Sequence, residues 1–448
     1  MNPLRRIVVI VIGTLILVAL VGFAWIVLAP GPMEFANGRH VDLASYKGAN
    51  PTGVPAELAQ ADLVTRGEYL ARAADCESCH TAKGGKAFAG GLAFKLPFGT
   101  IYSPNITPDM QTGIGAWTDG DFLSAIHKGV GRGGEPLYPA FPYAAYTYLT
   151  DADGLAIKAY LFSLKPVHSI APENTLSFPY NQRWLMTIWS ALFNPDHRFQ
   201  PNATQTAQWN RGAYLVEGLG HCGECHTPRN LLQALDNRHK FSGAITSGWR
   251  AYNITADRTS GIGAWSDDEL VQFLSTGHAE GRGVAAGPMG EAVDLSLRHL
   301  TQGDIKAIVA YLRTIRAIAT PDLPAPKTTP APLAPKQGVV ADANPMGKHI
   351  FEGACASCHD WNGAGPLTTY ATLTGNRSVN DPQAINLAQI VIAGTRRQTP
   401  HGSVFMPAFG QAYSDAEIAA VANYVTARFG AQPSALTAAD VAQLRRMN

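Results

Sequence analysis

Cys76-Glu-Ser-Cys79-His80 is a pentapeptide that returns twice, as Cys222-Gly-Glu-Cys225-His226 and as Cys355-Ala-Ser-Cys358-His359. Two thiols three positions apart reach the two vinyl groups of one porphyrin edge, and the histidine that follows then lies under the iron. Each copy reads as a covalent attachment site for haem c, with His80, His226 and His359 as proximal iron ligands. The three copies use all six cysteines of the chain. Other uses of these residues fit less well. A closed zinc site needs four ligands, and each copy offers three. A dithiol redox pair has no need of a histidine at a fixed offset. Disulfide frameworks belong to small domains short of a core, whereas this chain has 448 residues, 46% of them hydrophobic. Three haems on one polypeptide imply that it moves electrons.

Around the first two motifs the chain repeats itself. Arg66-Gly-Glu-Tyr-Leu corresponds to Arg211-Gly-Ala-Tyr-Leu, Asn105-Ile-Thr to Asn253-Ile-Thr, and Gly113-Ile-Gly-Ala-Trp117 to Gly261-Ile-Gly-Ala-Trp265. The closing stretches, Leu149-Thr-Asp-Ala-Asp and Leu300-Thr-Gln-Gly-Asp, lead into helical patterns ending near Tyr160 and Tyr311. A repeat this long reads as duplicated domains. The third module opens with Gly347, Phe351 and Cys355 and closes on a helix begun by the capping box Ser414-Asp-Ala-Glu417. A first helix crossing a last helix beside a haem is the geometry of a small class I cytochrome c, and Tyr160, Tyr311 and Tyr424 are expected to pack at that crossing. The expected fold is mainly α, with three tandem class I cytochrome c-like domains after an N-terminal transmembrane helix. The domains are placed at 60–165, 206–320 and 339–430.

Ile7 to Leu28 is a run of 22 residues without a charge, preceded by Arg5 and Arg6. It is long enough to cross a hydrocarbon core of about 30 Å, and longer than the apolar region of a signal peptide. It reads as an uncleaved anchor at 7–28, with the N-terminus in the cytoplasm and the haem domains exported to the periplasm. The connector 166–205 mixes prolines with Phe178, Tyr180, Trp184, Trp189 and Phe193, and is expected to pack on the domains. Residues 321–338 are rich in proline and alanine and read as a stiff extended linker. The tail 431–448 holds a short helix, Ala438 to Met447, read as a frayed terminus. A formal charge of +1 with 15% charged residues points away from nucleic acid as a partner.

The second face of each iron sets its redox character, and methionine there raises the potential. Met289, in Gly287-Pro288-Met289, and Met406, in Met406-Pro407-Ala408-Phe409, lie in matching loops before the last helix and are the candidate distal ligands. The first module departs from this. Aligned on Gly-Ile-Gly-Ala-Trp, Met289 falls on Phe141 in Leu137-Tyr-Pro-Ala-Phe-Pro-Tyr143, and phenylalanine cannot ligate iron. The first haem is then five-coordinate under Phe141, or bound by Met110, or bound by His127. An open site raises a second function, a peroxidase-like haem enzyme, although only Tyr138, Tyr143 and His127 offer acid–base chemistry nearby.

From about Leu63 to Phe429 the chain resembles the triheme cytochrome c subunits of membrane-bound bacterial dehydrogenases. The likeness rests on Pro97-Phe-Gly-Thr-Ile-Tyr-Ser-Pro-Asn-Ile-Thr107, Leu137-Tyr-Pro-Ala, Asn210-Arg-Gly-Ala-Tyr214 and Gly220-His-Cys-Gly-Glu-Cys-His-Thr-Pro-Arg229. It implies an electron-transfer subunit that is not a catalyst alone. It also implies a catalytic partner of quinoprotein, flavoprotein or molybdopterin type, a small accessory subunit, ubiquinone or another cytochrome as acceptor, and a place on the bacterial inner membrane. Phe141 and the anchor lean toward the molybdenum-linked branch, and the Gly-Ile-Gly-Ala-Trp matches toward the alcohol and gluconate branch.

Overall fold

The computed structural model describes residues 3–332, 344–399 and 402–447. Helix α1, Pro3–Val27, is long and apolar enough to cross a membrane, and its side chains from Arg5 to Trp25 are exposed. The residues after it join the folded body: Met33 is buried in the core, and the ring of Phe35 meets Tyr311 edge-on at 5.6 Å.

The first unit runs through α2 (Leu63–Ala73), α3 (Cys76–Cys79), a hairpin of β1 (Ala93–Leu96) and β2 (Gly99–Tyr102), α4 (Asp119–Lys128), α5 (Tyr143–Tyr146) and α6 (Asp151–Ser163). The connector carries α7 (Leu185–Phe193). The second unit holds α8 (Ala207–Ala213), a π turn over Tyr214–Leu219, and α9 (Gly223–His226). It continues through hairpins β3–β4 (Ala244–Thr246, Trp249–Ala251) and β5–β6 (His278–Ala279, Gly283–Val284), with α10 (Asp267–Thr276), α11 (Gly287–Leu295) and α12 (Gln302–Leu312). The third holds α13 (Pro345–Ile350), a π turn over Phe351–Cys355, α14 (Ala356–His359), α15 (Ile385–Ala393), hairpin β7–β8 (Thr395–Thr399, Gly402–Met406), α16 (Asp415–Phe429) and α17 (Ala438–Met447).

One contact recurs in all three units. A Cβ built on Gly67 of α2 would stand 1.9 Å from the carbonyl oxygen of Ala156 on α6. Gly212 of α8 stands in the same relation to Ala307 of α12 at 2.0 Å, and Gly347 of α13 to Ala420 of α16 at 2.2 Å. Any side chain at these glycines would push the two helices apart. Four residues beyond each alanine comes Tyr160, Tyr311 or Tyr424, whose Cβ is the nearest side-chain atom met. Capping side chains start the helices where the sequence places them. Thr150 accepts from the Asp153 N–H, and Ser414 and Glu417 form the reciprocal box. Gly67 precedes Cys76 by nine residues, but Gly212 precedes Cys222 by ten. The second unit, and the third, where Gly347 precedes Cys355 by eight, both reach the motif through a π turn.

The first two units share one continuous core, and the third has its own. The shared core is sealed by a reciprocal exchange. The Tyr69 hydroxyl donates to Asp304 Oδ2 at 2.6 Å, and the Tyr214 hydroxyl donates to Asp153 Oδ2 at 2.5 Å. Each tyrosine oxygen also accepts from the capping threonine of the other unit, from Thr301 N–H at 3.2 Å and Thr150 N–H at 3.4 Å. The two units therefore face each other about a local pseudo-two-fold axis.

Three expectations need correction. The connector is ordered and pinned by buried Phe199 and Asn202, but it packs on the domains only in part: Tyr180 stacks on Phe98 at 3.8 Å and Trp189 meets Tyr143 edge-on at 5.9 Å, whereas Phe178 and Trp184 are 77% and 60% exposed. The residues described within 321–338 are extended but do not stand free. Leu323 and Ala331 are buried, and the Lys327 N–H donates to Asn380 at 2.8 Å; residues 333–338 of this stretch, and 339–343 after it, lie outside the described residues. The tail is docked, not frayed. Val441 and Leu444 of α17 are buried against α15 and α16, and Arg445 pairs with Asp415 at 2.8 Å.

Candidate functional site

In each unit the first helix delivers the chain to a single helical turn that carries the two cysteines. In the first unit Asp75 turns the chain with φ 52°, and its carboxylate bonds the Ser78 hydroxyl. The histidine after each turn is then held the same way. Nδ1–H of His80 donates to the Pro104 carbonyl at 2.8 Å, that of His226 to Tyr252 at 2.6 Å, and that of His359 to Ala371 at 2.6 Å. This bond selects the tautomer that leaves Nε2 with a free lone pair, the form a metal takes. Burial lowers the pKa of all three imidazoles, so they stay neutral. Pro104 and Tyr252 are the residues just before the repeated Asn-Ile-Thr, which explains that motif. Asn105 and Asn253 accept from the N–H two residues on, at 2.9 and 2.8 Å, and so shape the loop that holds each histidine.

The donor set fits covalent haem. All six cysteines are free of disulfides. Burial pushes the thiols of Cys76, Cys79 and Cys222 up to about 12, far from a reactive dithiol. Among the described residues no group of three or more His, Cys, Asp or Glu side chains is arranged to hold a metal alone.

The candidate distal residues differ between units. Met289 lies in the first turn of α11, half-buried, where Gly287 at φ 53° brings the backbone onto the face of Trp249. Met406 ends β8, half-buried, opposite Thr395 and against the third core. At the corresponding place in the first unit, Phe141 packs on Tyr146 with ring centroids 5.5 Å apart. The two other candidates there differ in exposure. Met110 is 68% exposed. His127 is buried on α4 beside Asp151 at 3.7 Å, with Asp196 and Arg198 as its other charged neighbours. Burial, then Arg198, brings its pKa down to about 4. The charges around Cys79 are different ones, those of Asp75, Cys225 and Glu291.

The sites adjoin. Tyr146 donates to the Ala74 carbonyl at 2.6 Å, two residues before the first motif, and meets His221 edge-on at 5.5 Å, one residue before the second. Helix α11 packs against α3. Between the second and third units, Arg397 of β7 donates to the Gly290 carbonyl at 2.9 Å and pairs with Asp294 at 3.2 Å, both on α11. It thereby ties the strand pair of Met406 to the helix of Met289. His278 stacks on Tyr370 at 4.1 Å, and Arg250 pairs with buried Asp381 at 3.0 Å across the same boundary. Beside Cys222, buried Glu217 accepts from Lys240 at 2.7 Å and from the Tyr311 hydroxyl at 2.5 Å. Sequence reading misses Arg397, Tyr146 and the Glu217–Lys240 pair, since none sits in a repeated or spaced pattern.

The cytochrome c family profile matches residues 64–165 and 346–428. The chain is 42% identical over 390 residues to a subunit of nicotinate dehydrogenase from Pseudomonas putida, covering 86% of this chain and 32% of that protein; it thus spans about a third of that relative's length. It is 40% identical over 420 residues to the fructose dehydrogenase cytochrome subunit of Gluconobacter japonicus, covering 89% of this chain and 85% of that one. It is also 40% identical over 402 residues to the gluconate 2-dehydrogenase cytochrome c subunit of Pantoea cypripedii, covering 86% and 90%.

Proposed function

Because the chain belongs to the family of cytochrome c subunits of bacterial dehydrogenases, we propose that it is the triheme electron-transfer subunit of a membrane-bound dehydrogenase complex. Three class I cytochrome c-like domains each hold one haem c, through Cys76 and Cys79, Cys222 and Cys225, and Cys355 and Cys358. His80, His226 and His359 would be the proximal iron ligands. Met289 and Met406 would be the distal ligands of the second and third, and Phe141 would leave the first without a methionine. Haem supplies the one-electron couple. The protein holds each histidine neutral and oriented through its Nδ1–carbonyl bond, and joins neighbouring sites through Tyr146 and Arg397.

The observation that carries this reading is the threefold Nδ1–carbonyl bond behind Cys-x-x-Cys-His, in units that touch through Tyr146 and Arg397. A separate catalytic subunit, with a small accessory subunit, oxidises an alcohol, sugar acid or aldehyde. Electrons leave to ubiquinone or another cytochrome. Helix α1 is the anchor in the inner membrane, and the haem units stand in the periplasm. In the test, the chain's gene is deleted and the membranes are assayed. Substrate oxidation with an artificial dye should persist while ubiquinone reduction is lost; unchanged ubiquinone reduction would refute the role. The peroxidase-like alternative has less support, since its three acid–base candidates lie against the connector: Tyr138 donates to the Tyr180 carbonyl at 3.1 Å, the Tyr143 ring meets Trp189 edge-on at 5.9 Å, and Asn194 donates to the His127 carbonyl at 2.8 Å.

A further inference from the structure

The electron-transfer reading leaves one surface unused. Helix α7 carries Trp184 just before it and Ile188 within it, at 60% and 50% exposure, and Phe178 lies upstream at 77%. Leu231, on the loop beside α7, is 88% exposed. A cluster of large apolar groups on one face marks a contact surface. The position of this face decides what it contacts. Trp189 of α7 donates from Nε1 to the Leu232 carbonyl at 2.9 Å, which fixes α7 against the loop. The loop continues to Asn237, whose side chain donates to the Pro30 carbonyl at 3.1 Å, and to Arg238. Arg238 donates to the Trp25 carbonyl at 2.6 Å, and its guanidinium lies over the Trp25 ring at 4.1 Å. A single short loop, 231–238, therefore joins the apolar face to the end of α1, where the chain leaves the membrane.

The composition fits the same neighbour. Tryptophan and tyrosine with arginine close by is the makeup of surfaces seated at the headgroup level of a bilayer. Arg183 lies over the Tyr138 ring at 5.0 Å, so that a cation flanks the apolar groups. We infer that α7 and the loop 231–238 rest on the outer surface of the bilayer that α1 crosses, so that the chain meets lipid at two places. This rests on α1 being retained as the anchor. The loop bearing Phe141 is tied to the connector, through Tyr138 to the Tyr180 carbonyl at 3.1 Å and Arg183 to the Pro136 carbonyl at 3.3 Å.

The test uses the full haem-containing chain in vesicles of phosphatidylethanolamine and phosphatidylglycerol doped with a diazirine phospholipid, with photoadducts mapped by peptide mass spectrometry. Adducts are expected within 178–193 and at 231–232, as well as within 3–28. Trp184→Glu with Ile188→Glu should lose the first set and keep the second, with Soret absorbance unchanged. Adducts confined to 3–28 would overturn the inference and leave the anchor standing. Adducts within 178–193 without any in 3–28 would uphold the lipid face and end the anchor. Cross-links from 184 and 188 to the catalytic subunit in the intact complex, in place of lipid adducts, would also overturn it.

Discussion

The first and second units are copies of one design that differ where chemistry is set. Both cross their outer helices at a glycine, hold the histidine by a carbonyl before Asn-Ile-Thr, and offer a tyrosine to the other's aspartate. Yet Phe141 stands where the second unit has Met289. The second unit also buries Glu217 and Lys240, while the first has Ala87 before its matching phenylalanine, Phe88. Duplication has kept the scaffold and the docking, and divergence falls on the candidate distal position and on buried charge. On the proposed reading, two haems of unlike potential in one shared core would give an electron a direction.

The largest expected effect comes from exchanging the distal residues. Met289→Phe should lower the potential of the second haem by a sizeable part of the ~0.8 V span that axial ligands command, and Phe141→Met should raise that of the first. Potentiometric titration followed by optical spectra checks this; two potentials that do not move would mean that neither side chain faces iron. The next effect concerns charge. Lys240→Met strands Glu217 in the core and should cost about 3–5 kcal/mol, whereas adding Glu217→Gln should restore much of it. Urea unfolding read at the Soret band measures both. The smallest effect tests the pseudo-symmetry. Tyr69→Phe and Tyr214→Phe should each cost about 1–3 kcal/mol. Tyr214→Phe should cost the more, because Asp304 keeps Arg211 at 2.6 Å while Asp153 keeps, among the described residues, the Gly53 N–H at 2.9 Å. A cost near zero for both would dissolve the reciprocal interface.

Much of this is legible in the sequence because it is local or repeated. The three pentapeptides, the capping box at Ser414, and Tyr311 and Tyr424 buried at the helix crossings are short patterns with one physical reading each. Phe141 stands out once the two copies are aligned. What escapes is pairwise and long-range. Tyr69 finds Asp304 across 235 residues, and neither residue type signals a partner. Arg397 looks like any arginine in a strand. Val441 and Leu444 form too short a stripe to show that α17 would dock. The connector is read only in part for a different reason: apolar side chains announce that they avoid water, without saying that Tyr180 and Trp189 are covered by the first unit while Phe178 and Trp184 are not.

The account stands on three haems, one for each Cys-x-x-Cys-His, and on the middle unit, which the cytochrome c profile passes over, being as genuine a haem domain as its neighbours. Haem-to-polypeptide stoichiometry of the purified full chain, with each attached peptide identified by mass spectrometry, tests this directly. The expected result is three haems, on the peptides of Cys76, Cys222 and Cys355. Two haems, with the Cys222–Cys225 peptide unmodified, would contradict it.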